Sequence, residues 1–575
     1  MNHKIKKLRS TAVTLLLIIL FTNAPLTRLT SVTADQPKYG GTLVSALSGD
    51  IPHFNIAIII QTIADLAAGK LFNSLAQRDP NGEIVPDLAQ SWEVSHDGLA
   101  YTFHLVKNAT WHDGKPFTSA DVKFSIEDVL YKFHPRGKVA FEALDKVDTP
   151  DNYTAIVRMK YSFPAFLSFL GNSFAIMLPK HLYEGTDILN NPYNSNPVGT
   201  GPFMFKDYVK ADHITFVKNP NYFKKGKPYL DRLVFSIIPD VTSRVAAFEK
   251  GEIDYINWYG FPNDQYDRLI KLPGATAMQI PFNPLATVIK MDINLRNPPL
   301  NNVKVRQAMA YAINKQEILD KSLFGIGKIA NSPIPSSFKW AYNPNVTKYE
   351  FSLSMANRLL DEAGYPEGPD GVRFKTSIMY DQALPELAKT SEIIRLQLQA
   401  VGIDVTLRPT DGATYQAAMG RWEYDMVPWR AASGPDPSVA TAYYWSKNIR
   451  KSFGTNTGGY NSSRYDLLYE QASRELDPTK RAQEYYDLQT LAAQELPNFW
   501  LIEVGFPIAF KTTFSGLPEG AYGYENMDIT WWTKGGEPSP APAQPPYALY
   551  SGIIAAIIIV GVATLLYRRK KTRAT

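Results

Sequence analysis

The sequence predicts a large α/β protein with more than one lobe. The chain has 575 residues, of which 45% are hydrophobic. A chain of this size buries a large core and divides into lobes. In its second half, a helical pattern over 391–401 ends at Gly402 and is followed by Ile403, Val405 and Leu407 at a period of two. A helix, a glycine and a strand in this order form a unit of an α/β layer.

Other strands and helices follow from the same two periods. Residues 41–46 and 99–107 are predicted strands, the second because Tyr101, Phe103 and Leu105 alternate with polar residues. Apolar residues three and four positions apart predict helices over 62–75, 302–322, 354–363 and 481–496. Both halves of the chain therefore combine helices with strands.

The basic residues that give the chain its net charge are concentrated at its two ends. The formal net charge is +5, but ten cations lie before residue 35 or after residue 567, where there are no acidic residues. Without them, 50 basic residues face 55 acidic ones, so the body carries about −5. This balance removes the electrostatic basis for nucleic-acid binding.

The residue inventory indicates no catalytic or metal centre. There is no cysteine, which excludes disulfides, thiolate nucleophiles and Cys-ligated zinc. The eight histidines show no HExxH or comparable ligand spacing, and no GxSxG motif marks a serine nucleophile. We therefore predict no cofactor, no metal and no enzymatic activity, with an extracellular hydrolase as the disfavoured alternative.

The N-terminus has the pattern of a secretory signal. Residues 1–9 are basic, residues 12–21 form an apolar run, and Ala34 ends a stretch of small or modest residues. This order predicts a signal peptide over 1–34. The alternative is an uncleaved anchor, but the apolar run is too short to cross a bilayer comfortably.

The C-terminus has the pattern of a membrane tether. A proline-rich linker is predicted over 536–546, and nineteen uncharged residues follow at 548–566. These predict a transmembrane helix over 547–567, with the basic tail 568–575 in the cytoplasm and the body outside. A buried core helix is the alternative, which the linker and the cations disfavour.

Several segments resemble, in order and spacing, the large solute-binding protein family 5, which serves dipeptide, oligopeptide and nickel importers. The signature run begins at Trp111-His112-Asp113-Gly114. The matching segments lie at 86–94, 97–103, 111–122, 197–203, 219–223, 227–231, 251–254, 305–313, 359–365 and 402–405. No one of them is specific alone, but their joint order is. Most of these residues are interpreted as architectural, with Asp113 and Gly114 in a tight turn and Thr118 or Ser119 capping a helix.

The resemblance implies a two-lobed periplasmic-binding-protein fold of the three-domain peptide-binding type. It places the first lobe at 35–71, 196–292 and 506–535, an inserted satellite domain at 72–195, and the second lobe at 293–505. Chain crossings near 291–294 and 504–507 would form a hinge. Closure of the lobes over a ligand is then the expected functional event.

The function implied is that of an extracellular, membrane-anchored receptor of an ABC importer. It would act as a monomer, capture peptide-like solutes, and deliver them to a permease and an ATPase. Two alternatives stay open: an oligosaccharide-binding member of the same family, and a sensory receptor. The sensory interpretation is the weaker one, because only eight residues follow Tyr567.

The resemblance also implies that two loops, 48–61 and 424–438, contact the ligand. The candidate ligand-binding residues are Asp50, His53, Asn55, Gln61, Trp429, Ser433, Asp436 and Tyr443. A solvated first loop packed on the apolar run 56–60 is an equal alternative. For Asp436 we favour a structural turn over ligand contact.

One position departs from the pattern of the peptide-binding relatives. They place an aspartate a few residues before the Asp-Pro pair, where it meets the free amino group of the peptide. This chain has Ser433 or Ala432 there, so that charge-assisted bond is missing. This puts in question a free amine as the anchor of the ligand and leaves room for an oligosaccharide or a blocked peptide. We therefore expect the ligand to be held by stacking on Trp429 and by hydrogen bonds from Asn55, Gln61 and Ser433.

Overall fold

The computed structural model describes residues 37–79, 83–135, 137–171, 175–257, 260–280, 287–517 and 530–532. The contacts of the chain separate Met1–Lys38 from Tyr39–Thr575, and the fold below is that of the second unit. The predicted signal peptide, proline-rich linker, transmembrane helix and basic tail lie outside the described residues. Within those ranges, no helix is both long and apolar enough to cross a bilayer.

The strands, numbered in chain order, are short and spread along the whole unit. They are β1 Thr42–Leu47, β2 Ala76–Arg78, β3 Ile84–Pro86, β4 Ala89–Val94, β5 Ala100–Leu105, β6 Leu144–Asp151, β7 Thr154–Met159, β8 Phe203–Val209, β9 His213–Lys218, β10 Arg232–Ile237, β11 Tyr255–Ile256, β12 Ala275–Ile280, β13 Thr287–Ile293, β14 Gly327–Ile329, β15 Phe374–Asp381, β16 Ile403–Thr410, β17 Met426–Ala432, β18 Asn498–Val504, β19 Phe506–Lys511, β20 Phe514–Ser515 and β21 Trp531–Trp532.

The α-helices are also numbered in chain order, and the longer ones lie mostly in the second half. They are α1 Thr62–Ala68, α2 Ser119–Lys123, α3 Tyr131–Phe133, α4 Gly137–Ala140, α5 Ala165–Leu170, α6 Lys180–Tyr183, α7 Val241–Lys250, α8 Tyr266–Leu269, α9 Val303–Ala312, α10 Lys315–Leu323, α11 Leu353–Glu362, α12 Pro385–Gln399, α13 Gly412–Arg421, α14 Pro437–Thr441, α15 Ser463–Ala472 and α16 Pro478–Glu495. A π-helical segment, Phe124–Leu130, joins α2 to α3.

Three sheets of four or more strands organise these elements. A seven-stranded sheet has the order β12-β19-β11-β1-β10-β9-β8, a six-stranded sheet the order β14-β18-β13-β17-β15-β16, and a four-stranded sheet the order β4-β5-β7-β6. β1 runs parallel to β10, and β15 runs parallel to β16. The first sheet thus draws on three separate stretches of chain, whereas the second uses only strands between β13 and β18. The predicted domain boundaries themselves stay predictions.

Two predicted helices differ from the observed ones. The helix expected over 62–75 ends at Ala68, because the carbonyls of Lys70 and Leu71 accept hydrogen bonds from the backbone of Phe203 and Gly201 instead (3.1 and 2.8 Å). The helix expected over 302–322 is two helices, α9 and α10. It is interrupted because the side chain of Asn314 accepts the backbone N–H of Glu317 and so starts a new helix.

The remaining predicted helices are found with shifted starts. α11 begins after Ser352 and α16 after Asp477, and in both the preceding side chain accepts a backbone N–H of the first turn. α12 starts at Pro385, six residues before the predicted start. Gly402, which follows it, has a φ of +79° and lets the chain turn directly into β16.

The signature run builds a turn and a helix start, as interpreted from the sequence. Gly114 adopts a φ of +87°, which closes the tight turn after Trp111. Thr118 and Asp121 form a capping box, in which the backbone N–H of Thr118 donates to Asp121 Oδ2 at 2.9 Å.

His112, in the same run, ties the turn to the glycine pair that precedes β8. The backbone N–H of Gly199 donates to His112 Nδ1, and His112 Nε2 lies 3.1 Å from the carbonyl of Gly201. This pattern assigns a neutral ring that accepts at Nδ1 and donates at Nε2. Burial lowers the pKa of His112 to about 4. A proton on Nδ1 would face the N–H of Gly199, so protonation and this contact exclude each other.

We expect the pH dependence of stability to reveal His112. Because its pKa is depressed in the folded state, the unfolded state binds the extra proton, and stability is lost as pH falls from about 6.5 toward 4. Chemical denaturation at pH 7 and pH 4.5 should show that wild type loses about 2 to 3 kcal/mol more than His112→Gln does. Exposed His96→Gln serves as the control and should behave as wild type. Equal pH dependence of wild type and His112→Gln would contradict the assignment.

Candidate functional site

The loop after β1 carries four of the candidate residues, and Asp50 is the first. It is exposed, and its carboxylate accepts hydrogen bonds from the Ala211 backbone N–H (2.9 Å) and the Tyr208 hydroxyl (2.8 Å). These two bonds lower the pKa of Asp50. The carboxylate therefore anchors the loop to the β8–β9 hairpin.

His53 and Asn55 shape the interior of the same loop. His53 Nδ1 accepts the backbone N–H of Asn55, and burial lowers the pKa of the imidazole. Asn55 is only 1% exposed. Its amide donates to Asn194 Oδ1 at 2.8 Å, and its oxygen accepts the backbone N–H of Ala57. Both polar ends of Asn55 are thus engaged within the protein, and a ligand contact by Asn55 stays a prediction.

Gln61 differs from the other three candidates of this loop. It stands at the N-cap position of α1 without capping it, and it is half-buried. Its side-chain oxygen is buried and finds no hydrogen-bond partner among the described residues. A buried acceptor without a partner is costly unless something donates to it. Gln61 is therefore the candidate of this loop with an acceptor that a ligand would satisfy.

The second group of candidates lies on and after β17, which pairs with β13. In this register Trp429 stands opposite Lys290. Trp429 is 6% exposed, and the rings of Tyr443 and Phe453 pack edge-on against it, with centroids 5.5 and 5.2 Å away. An open stacking face was expected for Trp429, but here its ring lies in the core, so ligand stacking on it stays a prediction that requires these rings to part.

A buried charge pair on β13 holds these aromatic rings. Lys290 Nζ lies 3.1 Å from Asp292 and 4.9, 4.5 and 4.9 Å from the ring centroids of Trp429, Tyr443 and Tyr444. Burial alone would lower the pKa of Lys290, but the attraction of Asp292 outweighs it and the pKa is raised. The ammonium is thus fixed in a cage of rings, in the geometry of cation–π contacts.

Ser433 and Asp436 lie in the loop that follows β17, and both are buried. Asp436 accepts the Ser438 backbone N–H at 3.0 Å, which caps α14, and pairs with Arg481 Nη2 at 2.8 Å. Burial would lower the pKa of Arg481, and the charge of Asp436 outweighs this and raises it. Asp436 therefore has a structural role as a helix cap and ion-pair partner, and its preference for this role over ligand contact stays a prediction.

A cavity of about 320 Å³ opens next to this loop, between the four-stranded sheet region and the segments after β17. Tyr443 is the sequence-predicted residue that lines it. Its lining is mainly aromatic and charged: Glu142, Tyr161, Phe163, Phe169, Ser438, Val439, Ala442, Tyr443, Trp445, Asn448, Arg450, Gly454, Tyr469, Glu470, Ser473 and Arg474. Close contacts flank it, since Arg78 Nη2 donates to the Pro435 carbonyl (2.7 Å) and Ser162 Oγ donates to that of Arg474 (2.9 Å).

The structure brings the candidates together in two groups. The first group lies in one loop. Its hydrogen-bond partners are in the same loop, at Asn194 and at Ala211. In the second group, Trp429 and Tyr443 are in direct contact. Most of the cavity lining was missed from sequence, because it joins residues around 142–169 to residues around 438–474. The only available signal was the density of aromatic residues near Trp445.

In the described part of the chain, no three histidine, aspartate or glutamate side chains come close enough together to hold a metal ion. The cavity instead offers aromatic rings and charged groups. This arrangement suits non-covalent binding of an organic solute.

We expect the charge pair on β13 to be required as a pair. Lys290→Met leaves the buried Asp292 carboxylate without its cation and should lower the free energy of unfolding by about 3 to 5 kcal/mol. The double variant Lys290→Met/Asp292→Asn should recover at least half of that loss, because no buried charge remains. Lys375→Met, in the same sheet with a side chain 78% exposed, is the control and should change stability little. Urea denaturation measures all of these, and a double variant no more stable than Lys290→Met would contradict the coupling.

Comparison with known proteins extends over most of the chain. Residues 83–452 match the family model described as bacterial extracellular solute-binding proteins, family 5 Middle. The chain is 30% identical to heme-binding protein A of Haemophilus influenzae, over 82% of this chain and 87% of that protein. It is 28% identical to the dipeptide-binding protein of Escherichia coli, over 87% and 97%.

A solved structure matches the fold as well. The periplasmic binding protein DppA of Helicobacter pylori, in complex with the peptide STSA, aligns with a TM-score of 0.69 and 27% identity over 86% of this chain and 99% of that one. The fold is accordingly the α/β, two-lobed fold of periplasmic binding proteins. On the extent of these matches, the chain belongs to the bacterial extracellular solute-binding proteins of family 5.

Proposed function

We propose that this protein is the extracellular receptor of an ABC importer, which captures peptide-like solutes and delivers them to a permease without chemical change. The cavity of about 320 Å³ beside the loop after β17 carries this proposal, since it lies next to the loop that the family resemblance assigns to the ligand. The names of similar proteins support a peptide ligand, because one is a dipeptide-binding protein and another holds a peptide in its solved structure.

Membrane anchoring is part of the same proposal. It rests on the uncharged run 548–566 and the five cations that follow it. A receptor tethered in this way stays beside its permease rather than diffusing from the cell. Deleting the chain from residue 536 onward should release a soluble protein with unchanged ligand affinity, and fractionation of cells that express both forms tests the anchor.

The proposed capture step is closure of the two lobes. Ligand contacts made to both lobes exist only in the closed state, so saturating ligand shifts the population toward it. Small-angle scattering should show a smaller radius of gyration with bound peptide than without it. A radius that does not change with saturating peptide would contradict closure.

The candidate residues bear on whether the free amino group of a peptide is bound by a carboxylate. Ser433 offers no carboxylate for a free amino group, and Asp436 is already paired with Arg481. Asp50 is engaged by Tyr208 and Ala211. An ammonium buried without a carboxylate partner costs several kcal/mol. We therefore propose that the free amine is not the anchor of the ligand.

Acetylation of the peptide tests this directly. Calorimetry with matched free and N-acetylated peptides should give affinities within about threefold of each other. Acetylation removes the positive charge of the amine, and in this proposal no ion pair depends on that charge. Asp50→Asn should leave both affinities unchanged, as should Asp97→Asn, which removes another exposed turn carboxylate. A loss of tenfold or more on acetylation that disappears in Asp50→Asn would show that Asp50 meets the amine. Tighter binding of oligosaccharides than of any peptide would overturn the peptide assignment.

A further inference from the structure

The cavity beside the loop after β17 is lined by two pairs of aromatic rings, which are called its two walls below. In the first pair, Phe163 and Phe169 stack with centroids 6.0 Å apart and planes 18° from parallel. In the second pair, the ring centroids of Trp445 and Tyr469 lie 5.1 Å apart, and the ring planes are 37° from parallel. All four rings line the cavity; Phe169 is buried, and the other three are half-buried. Rings of this kind favour a flat, apolar group between them.

The carboxylates of the cavity are already engaged. Glu470 accepts hydrogen bonds from Lys447 Nζ (2.7 Å) and Trp445 Nε1 (3.1 Å), and the bond from Lys447 is the main cause that lowers the pKa of Glu470. Burial and then a hydrogen bond to Glu142 raise the pKa of the Tyr161 hydroxyl. Neither carboxylate is therefore a free site for a ligand cation.

The two guanidinium groups of the cavity, in contrast to the carboxylates, are exposed and have no charged hydrogen-bond partner within the described ranges. Arg450 is exposed and donates to the neutral Asn448 side chain at 2.6 Å. Arg474 is also exposed, and its guanidinium lies 5.6 Å from the ring centroid of Tyr161. Within the described ranges, neither forms a salt bridge, although Arg474 is close enough to Glu470 to contribute to its lowered pKa. Guanidinium groups bind carboxylates in a bidentate geometry, through two parallel N–H···O hydrogen bonds.

We propose that this cavity binds an aromatic ring that bears a carboxylate, with the ring between the two walls and the carboxylate on Arg450 and Arg474. The last residue of a peptide that ends in an aromatic amino acid has this chemistry, and so does a free aromatic acid. The inference rests on the proposed function and adds to it the end of the peptide that is recognised.

The size and place of the cavity fit one terminal residue. Ligand sites range from roughly 300 to 1,000 Å³, and a cavity of about 320 Å³ lies at the lower end. It accommodates one ring with its carboxylate rather than a whole oligopeptide. Ser438 and Tyr443 belong both to the cavity lining and to the segment after β17, so the rest of the peptide would run from the cavity toward that segment.

Calorimetry with four ligands tests the proposal on the whole protein. Wild type should bind Ala-Ala-Ala-Phe about tenfold more tightly than its C-terminal amide and about tenfold more tightly than Ala-Ala-Ala-Ala. In Arg450→Gln/Arg474→Gln the acid and the amide should bind equally, at the affinity that wild type has for the amide. Arg395→Gln, an exposed arginine on α12, is the matched control and should keep the wild-type preference. N-acetylphenylalanine is the fourth ligand. If it binds as tightly as Ala-Ala-Ala-Phe, the cavity is assigned to free aromatic acids. If it binds more weakly, the cavity is assigned to the carboxyl ends of peptides.

The outcomes that overturn this inference differ from those that overturn the proposed function. Equal affinity of wild type for acid and amide overturns the inference alone, as does a double variant that keeps the preference or loses affinity for both ligands equally. If none of these peptides binds to wild type, the proposed peptide receptor is overturned, and the inference with it.

Discussion

The charge pair Lys290–Asp292 is the constraint on which the contribution of the six-stranded sheet to the site depends. Every residue of β13 is buried, and this strand carries two opposite charges through the middle of the six-stranded sheet. Such a pair is stable only if its remaining hydrogen-bonding capacity is met. Asn498 donates to Asp292, and the rings of Trp429, Tyr443 and Tyr444 surround the ammonium. Because Tyr443 also lines the cavity, the pair is in contact with one of the lining residues.

Other buried cations donate hydrogen bonds to backbone carbonyls, several of them at helix ends. Arg306 is 5% exposed, and it donates to the carbonyls of Leu300, Glu495 and Leu496, two of them at the end of α16. Arg481 likewise bridges Asp436 to the carbonyl of Ala472. A chain without cysteine has no covalent link between distant segments, so these directional bonds and the aromatic core hold them together.

The sequence predicted local features well and long-range ones poorly, for a physical reason. Caps and turns such as Thr118, Gly114 and Gly402 depend on neighbours a few residues away, and they are found where they were expected. The premature end of the helix at Ala68 depends instead on hydrogen bonds to residues 130 positions later. In the same way, the burial of Trp429 follows from its register with β13, and the cavity joins two segments far apart in sequence. No periodicity encodes such pairings.

The acidic and basic side chains near the cavity differ in whether they are bound by neighbouring groups. Asp436, Glu470 and Glu142 are each bound by a neighbouring group, whereas Arg450 and Arg474 at the cavity are not in salt bridges within the described ranges. A peptide is itself a dipole, positive at its amino end and negative at its carboxyl end. Near two cations that form no salt bridge within the described ranges, the carboxyl end would be the favoured one, since like charges repel and unlike charges attract. The absence of a carboxylate at Ser433 and the presence of these arginines would therefore both favour the carboxyl end of a peptide over its amino end.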